Sequence, residues 1–392
     1  MWTVDWDDDF VVGGDGGRRL TPSFRLKEFR RPDGTVRVHR ELVTGVQLLR
    51  DRFGRSVSIK GTDVDGLGGL VSGAPAAELG EAAARLEQRG IFASVNAHPD
   101  GFRVRIPDPR TLPPIDLEQA LEVAFSVTAA FETAGDKFQQ VTGNFDGAGL
   151  SFGPAQVNFK TGTLVALFAR FTAADEAALR DCFTDPDDYE EWQRVLGLPV
   201  PRQIQWANGI STGRGRHDVV SPWKEYLQAV GRVERFRVIT VERILKEYGG
   251  RMGRAVNALH GLRPGIRIDH LRCLCSLYDL VVQQGSLDKA WSEIEQRVRV
   301  EDPQDQFALT RIAVEERGRK ADPPWRADAV SRRVGILKGV PETIEDRQRA
   351  NIHFYMLRDV KVAGADTLRG ADVSAHLARV SAAVAAGRTL LT

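Results

Sequence analysis

The chain has 392 residues, enough for two domains of ordinary size with real cores. Hydrophobic residues are 42% and charged residues 27%, which excludes a disordered or fibrous composition. A formal net charge of +1 excludes a global field that would draw nucleic acid or an anionic membrane.

Residues 1–19 are polar and glycine-rich, with Gly13-Gly14-Asp15-Gly16-Gly17, and read as a flexible arm. The start, Met1-Trp2-Thr3-Val4-Asp5-Trp6-Asp7-Asp8-Asp9, is acidic where a signal peptide needs basic residues before an apolar run. No apolar run reaches membrane-spanning length. The expectation is synthesis in the cytoplasm without a signal peptide. Action at a cell wall would then need delivery by another system.

Residues 20–109 mix short helix and strand patterns. Arg40–Phe53 has helical periodicity through Leu42, Val46 and Leu49, and Ala76–Gln88 reads as a second helix. Val57–Ile59, Ile91–Val95 and Phe102–Ile106 read as strands, with a turn at His98-Pro99-Asp100-Gly101. This predicts a small α+β domain. Residues 110–114, Arg-Thr-Leu-Pro-Pro, read as a linker.

Residues 115–392 are mainly helical. Asp116 suits the cap of a helix running to about Thr133. Further helices are expected at 162–171, 174–182, 189–196, 221–246, 252–259, 268–284, 287–297, 305–319, 325–337, 344–359 and 371–386. The one β element expected here lies in the glycine-rich segment 143–158. Gly209-Ile210-Ser211-Thr212-Gly213-Arg214-Gly215-Arg216 reads as a mobile basic loop, because it lacks the pattern of a phosphate loop. Trp206, Trp223 and Trp291 suit either a sugar-stacking face or the core. The three cysteines, Cys182, Cys273 and Cys275, lack metal or redox spacing and read as buried thiols.

The chemistry concentrates near Glu132 and Asp146. Glycosidic cleavage needs a proton donor for the leaving oxygen and a second carboxylate. Glu132 ends the helix pattern, where the negative end of the dipole disfavours its charged form. Phe125, Phe131 and Phe138 add apolar neighbours. Glu132 is therefore the expected general acid. Asp146 sits in Asn144-Phe145-Asp146-Gly147-Ala148-Gly149, a polar turn that suits the second carboxylate, with Asp136 as the fallback. Gln156 and Asn158 alternate on an expected strand, so both amides face one side, and with Ser151 they form the expected substrate-binding set. Acids in such places also occur with no catalytic role. Asp279 and Gln283 lie i,i+4 on an apolar helix and are expected to pair as a buried support.

The segment Phe131–Leu164 resembles the active-site region of lysozyme-superfamily glycosidases. The likeness is greatest to family 46 chitosanases and to glycosidase domains of phage-like peptidoglycan hydrolases. It is carried by Gly143–Gly147, Gly149, Ser151–Gly153, Gln156, Asn158 and Gly162-Thr163-Leu164. A second block, Tyr278-Asp279-Leu280-Val281-Val282-Gln283-Gln284-Gly285-Ser286, resembles a helix end of the same domains. Val157 departs from the pattern, since a tryptophan is usual there. The resemblance implies a lysozyme-like domain over 115–392, with Glu132 and Asp146 catalytic and neither cofactor nor metal needed.

Residues 20–109 resemble the zinc D-Ala-D-Ala carboxypeptidase family, through Ser23–Phe29, Leu42–Gly54, Val71–Pro75 and Gly80–Ala83. The resemblance places a metal-ligating His near Ala77 and an Asp near Ala84, with the last His on Phe102–Arg105. None of these ligands is present, which implies a domain without its zinc site.

The fold expectation is α+β: a small peptidase-like α+β domain, then a mainly α lysozyme-like domain with a short hairpin. The functional expectation is a glycoside hydrolase directed at peptidoglycan or a related amino-sugar polymer. The alternative is an inactive wall-binding or structural component of a phage tail or contractile injection system.

Overall fold

The computed structural model describes residues 10–13, 16–21, 23–88, 90–132, 137–154, 156–339 and 356–365. These form two compact units. One holds the described residues of Met1–Phe131 and Tyr248–Asp372, and the other those of Glu132–Glu247. The expected division at 110–114 does not mark where the contacts part. The fold is mixed α+β and mostly helical.

The first unit begins with β1 (Phe10–Val12), which pairs antiparallel with β2 (Arg37–His39). At Phe10–Val12 this corrects the free arm expected over 1–19: Val11 is buried opposite Val38, while residues 1–9 lie outside the described residues. Helix α1 (Arg40–Phe53) follows, then β3 (Ser58–Thr62), β4 (Gly68–Ser72), α2 (Ala76–Gln88), β5 (Ser94–His98) and β6 (Gly101–Arg105). The four strands form one antiparallel sheet in the order β3-β4-β6-β5. Strand β4 escaped the sequence reading because Gly68-Gly69 lowers strand propensity. The apolar stripes of α1 and α2 share a core with this sheet, through Leu42, Val46, Leu79, Val71 and Val104.

Ala77 and Ala84 both lie in α2, and Phe102–Arg105 in β6. Among the described residues, no group of three or more His, Cys, Asp or Glu is placed to hold a metal. His98 closes the β5–β6 turn, its Nδ1 accepting from the Asp100 N–H at 3.2 Å.

Helix α3 (Leu117–Glu132) opens on a reciprocal cap. The Gln119 N–H donates to Asp116 Oδ1 at 2.7 Å, and the Asp116 N–H to Gln119 Oε1 at 3.3 Å. The second unit then holds β7 (Val141–Thr142), β8 (Ser151–Phe152), β9 (Val157–Asn158), α4 (Thr163–Arg180), α5 (Pro186–Leu196) and α6 (Val200–Ile210). Next come β10 (Ser211–Thr212), β11 (Asp218–Val219) and α7 (Trp223–Val230). The long α8 (Glu234–Leu262) carries the chain back into the first unit. The first unit ends with α9 (Leu271–Gln284), α10 (Trp291–Glu301), α11 (Gln306–Arg319) and α12 (Arg326–Lys338).

Three of the differences between expected and observed helix bounds have a clear physical cause. Helix α4 is one element with a break at Asp175, whose carboxylate caps the second half through the Ala178 N–H at 3.0 Å. Helix α6 was hidden by Pro199 and Pro201, which a helix tolerates in its first turn. The break expected after Lys246 falls instead at Gly231. A Cβ there would strike the Phe138 carbonyl, so the backbone contact forces glycine, while Gly250 has open space and α8 passes through it. Trp192, Trp206 and Trp223 pack together in the second core, Trp206 and Trp223 edge to face and Trp192 tilted against both, which assigns Trp206 and Trp223 to packing. All three cysteines are buried and free.

A polar clasp holds residues 356–365 in the first unit. The helix expected over 344–359 is absent at its described end, and 344–355 and 371–386 lie outside the described residues. The strap instead forms ladder-like bonds. The Ile115 N–H donates to the Lys361 carbonyl at 3.0 Å, and the Val362 N–H to the Asp269 carbonyl at 2.7 Å. His270 caps α9, its Nδ1 accepting from the Arg272 N–H at 3.2 Å. Nε2 therefore carries the hydrogen and donates to Asp359 Oδ1 at 2.5 Å. Arg272 reaches the same oxygen at 3.2 Å. Arg40 donates to the Leu357 carbonyl at 2.7 Å, and Glu41 accepts from the Asp359 N–H at 2.7 Å.

Burial pushes the His270 imidazole below its ordinary value, against the pull of Asp359. Burial would raise Asp359, but the His270 hydrogen bond and the Arg272 charge outweigh it and hold the carboxyl well below the carboxylate range. Both shifts cost stability on acidification. The unfolded chain takes up the His270 proton first, below roughly pH 6.5, and the Asp359 contribution drains away below roughly pH 4. The melting temperature should fall in both windows. Asp359→Asn should lower it at neutral pH and flatten the difference from wild type below roughly pH 4. Parallel wild-type and variant profiles from pH 7 to 3 would remove this pair from the acid response.

Candidate functional site

The segment around Asp146 is built on the three-stranded sheet β7-β8-β9. Thr142 pairs with Ser151, and Phe152 with Val157. Val141, Phe152 and Val157 turn into a core with Leu164, Phe168 and Phe236. The chain leaves β7 at Gly143, which lies against the β10–β11 hairpin. Its N–H donates to the His217 carbonyl at 3.2 Å. A Cβ at Gly143 would fall 2.5 Å from the Asp218 carbonyl and 2.8 Å from Ser211 Oγ, so only glycine fits.

Asn144 then locks the turn. Its backbone N–H donates to Ser211 Oγ at 2.8 Å, its Nδ2 to Asn208 Oδ1 at 2.6 Å, and its Oδ1 accepts from the Gly149 N–H at 2.8 Å. Arg216 Nη1 donates to the same Asn208 oxygen at 2.6 Å. Phe145 is 44% exposed and stacks on the His217 ring with centroids 4.2 Å apart. Asp146 is exposed, and its Oδ1 accepts from the Ala148 N–H at 2.9 Å, closing an Asx turn. The rest of its carboxylate faces outward on a backbone held from three sides.

The other expected residues have separate fates. Glu132 is the last residue of α3, and its side chain lies outside the described residues, as does the whole of Asp136. Phe125, Phe131 and Phe138 are buried. Ser151 is only 4% exposed, in the middle strand, where a substrate does not reach it. Gln156 is not on the strand. It is a turn residue at φ 47°, so the alternation expected with Asn158 does not exist. Its amide accepts from Thr142 Oγ1 at 3.3 Å and donates to the Gly153 carbonyl at 3.0 Å. Asn158 Oδ1 accepts from both the N–H and the hydroxyl of Thr161 at 3.0 Å, which shapes the entry to α4. Both amides are spent on their own loop. Val157 is buried, so the departure from tryptophan is a change of core packing.

Asp279 lies at the centre of an ion cluster within the first unit and is fully buried. Arg332 donates to Asp279 Oδ1 through Nε at 2.8 Å and through Nη2 at 2.5 Å, and Arg333 Nε reaches Oδ2 at 3.4 Å. Arg332 also donates to the Thr128 carbonyl in the last turn of α3 at 3.3 Å and lies 4.5 Å from the Phe131 ring centroid. The expected Asp279–Gln283 pair is not formed. Gln283 is exposed, and Arg333 bridges the two, donating to Gln283 Oε1 at 2.8 Å. The i,i+4 spacing was right for contact, but it could not show that arginines from another helix would compete for both acceptors. Burial drives the Arg333 guanidinium down to about 10, against the pull of Asp279.

Asn208, Ser211, Arg216 and His217 were missed as neighbours of Asp146. The basic glycine-rich stretch was visible in the sequence, but it read as a mobile loop. Instead it is a short hairpin, with Ser211 opposite Val219 and Thr212 opposite Asp218. Only the fold joins it to Gly143, across more than sixty residues.

No family model matches the chain, and no curated protein matches it. Among solved structures, a mutant chitosanase from Bacillus subtilis complexed with 6 GlcN is similar, with a TM-score of 0.36 and 16% identity. The match covers 61% of this chain and 92% of that one. A likeness of that size carries no conclusion about fold or activity.

Removing the Asp279 carboxylate strands two buried guanidinium groups. Asp279→Ala should therefore cost about 3–5 kcal/mol in chemical denaturation. A loss below about 1 kcal/mol would mean that water or another group compensates the arginines.

Proposed function

We propose that the chain is a glycoside hydrolase of peptidoglycan glycan strands, with Glu132 as general acid and Asp146 as the second carboxylate. The observation that carries this reading is the Asp146 turn. A carboxylate open to solvent stands on a backbone fixed by Gly143, Asn144 and Asn208. Such fixation keeps an acid near its working position without reorganisation during the reaction. The resemblance of the Gly143–Gly149 segment to glycosidase active sites supports the same assignment.

In the proposed reaction Glu132 gives its proton to the glycosidic oxygen as the bond to the anomeric carbon breaks. Asp146 faces the positive charge that grows on that sugar, or takes a proton from the attacking water. Water supplies hydroxyl to the sugar and restores the proton, so atoms and charge balance. The separation of the carboxylates selects the retaining or inverting course.

A second reading has its own support. Ser151 is buried, and Gln156 and Asn158 are engaged locally, so the expected substrate contacts are unavailable. That favours a wall-binding component of a phage tail or injection system that does not cleave. Purified protein incubated with peptidoglycan separates the two. Release of reducing ends, cut at least about 100-fold by Glu132→Gln or Asp146→Asn with circular dichroism unchanged, is the expected outcome. Sedimentation with the wall and no sugar ends from wild type would give the second reading instead.

A further inference from the structure

The charge beside Asp146 has a sign that the sequence total conceals. The β10–β11 hairpin carries Arg214 and Arg216, both exposed, and lies against Gly143, with its His217 ring stacked on Phe145. Lys160 is exposed as well, and its backbone N–H donates to the Ala148 carbonyl at 3.0 Å, at the other side of the same turn. Asp218 does not offset them, because its carboxylate bonds Lys224 Nζ at 2.8 Å. Asp146 is thus the one acid of the turn, and three exposed cations stand on the two segments whose backbones bond that turn. Arg216 is anchored through Asn208, and Phe145 offers an exposed ring against the His217 ring.

We infer that this hairpin is a subsite for a carboxylate carried by the glycan, and that it selects acidic amino-sugar strands over polyamine ones. The inference rests on the glycan-directed reading of Asp146. Guanidinium groups match carboxylates in geometry and charge, and an exposed aromatic ring suits the apolar face of a sugar. A polymer of free glucosamine is cationic and meets Arg214, Arg216 and Lys160 as like charges, which disfavours it. In a wall polymer the carboxylate belongs either to the lactyl ether on the sugar or to the stem peptide.

The test is binding of the full chain to four probes: intact peptidoglycan, glycan strands stripped of stem peptides, N-acetylglucosamine oligomers and chitosan. The expected order places both carboxylate-bearing probes first and chitosan last, with the preference shrinking as salt rises. Arg214→Glu should weaken carboxylate-bearing probes about tenfold, the scale of one charge-assisted hydrogen bond, and leave N-acetylglucosamine oligomers unchanged. Arg216→Gln gives a second variant without charge reversal and should act in the same direction. Stripped strands binding like intact wall assign the lactyl carboxylate, while loss on stripping assigns the peptide. Equal binding of carboxylate-bearing probes by wild type and both variants overturns the inference, as does a wild-type preference for chitosan. Charge-selective binding without release of sugar ends would remove the hydrolase reading and leave the subsite standing. Cleavage without charge selectivity would do the reverse.

Discussion

A carboxylate with no access to water needs its charge answered, and Asp279 sits at that extreme in the first unit. It takes two guanidinium groups from α12, and one of those, Arg332, also holds the last turn of α3 through the Thr128 carbonyl and the Phe131 ring. One buried charge therefore ties three helices distant in sequence. An apolar core tolerates many arrangements of similar volume, whereas a buried ion pair tolerates only the one that satisfies it. The clasp of His270, Asp359, Arg40 and Glu41 works in the same way on the 356–365 strap. These ties lie within the first unit, where α9–α12 group with α3 and with the N-terminal elements through α1.

The second unit uses a different device. Its small sheet is only two residues deep per strand, too little to hold a turn by pairing alone. The turn is held instead by a side chain, Asn144, and by the close approach of Gly143 to the hairpin. That arrangement leaves Asp146 exposed, on a turn bonded to the hairpin that carries Arg214 and Arg216. A whole-chain charge near neutrality and a local cationic rim are compatible, because the balance of 54 basic and 53 acidic residues does not fix where each one sits.

Legibility varied with the range of the forces involved. Helices α1 and α2 have the bounds their periodicity predicts, and Asp116 caps α3 as expected. Strands with glycine, or helices entered through proline, were hidden, because local propensity there is overridden by tertiary contact. The amides of Gln156 and Asn158 were read as a binding pair from an alternation of period two. A left-handed turn at Gln156 breaks that period, and nothing in the residue types announces it.

By itself the sequence determined what depends on neighbours a few residues apart: the amphipathic helices, the caps and the polar turn around Asp146. The tertiary structure decided what depends on residues far apart in the chain. It brought the hairpin of Arg214 and Arg216 to the Asp146 turn, gave Asp279 two arginines in place of Gln283, and buried Ser151. Backbone geometry sets the first group within one turn or strand. The second arises only when desolvated charges and close backbone contacts must be matched across the whole fold.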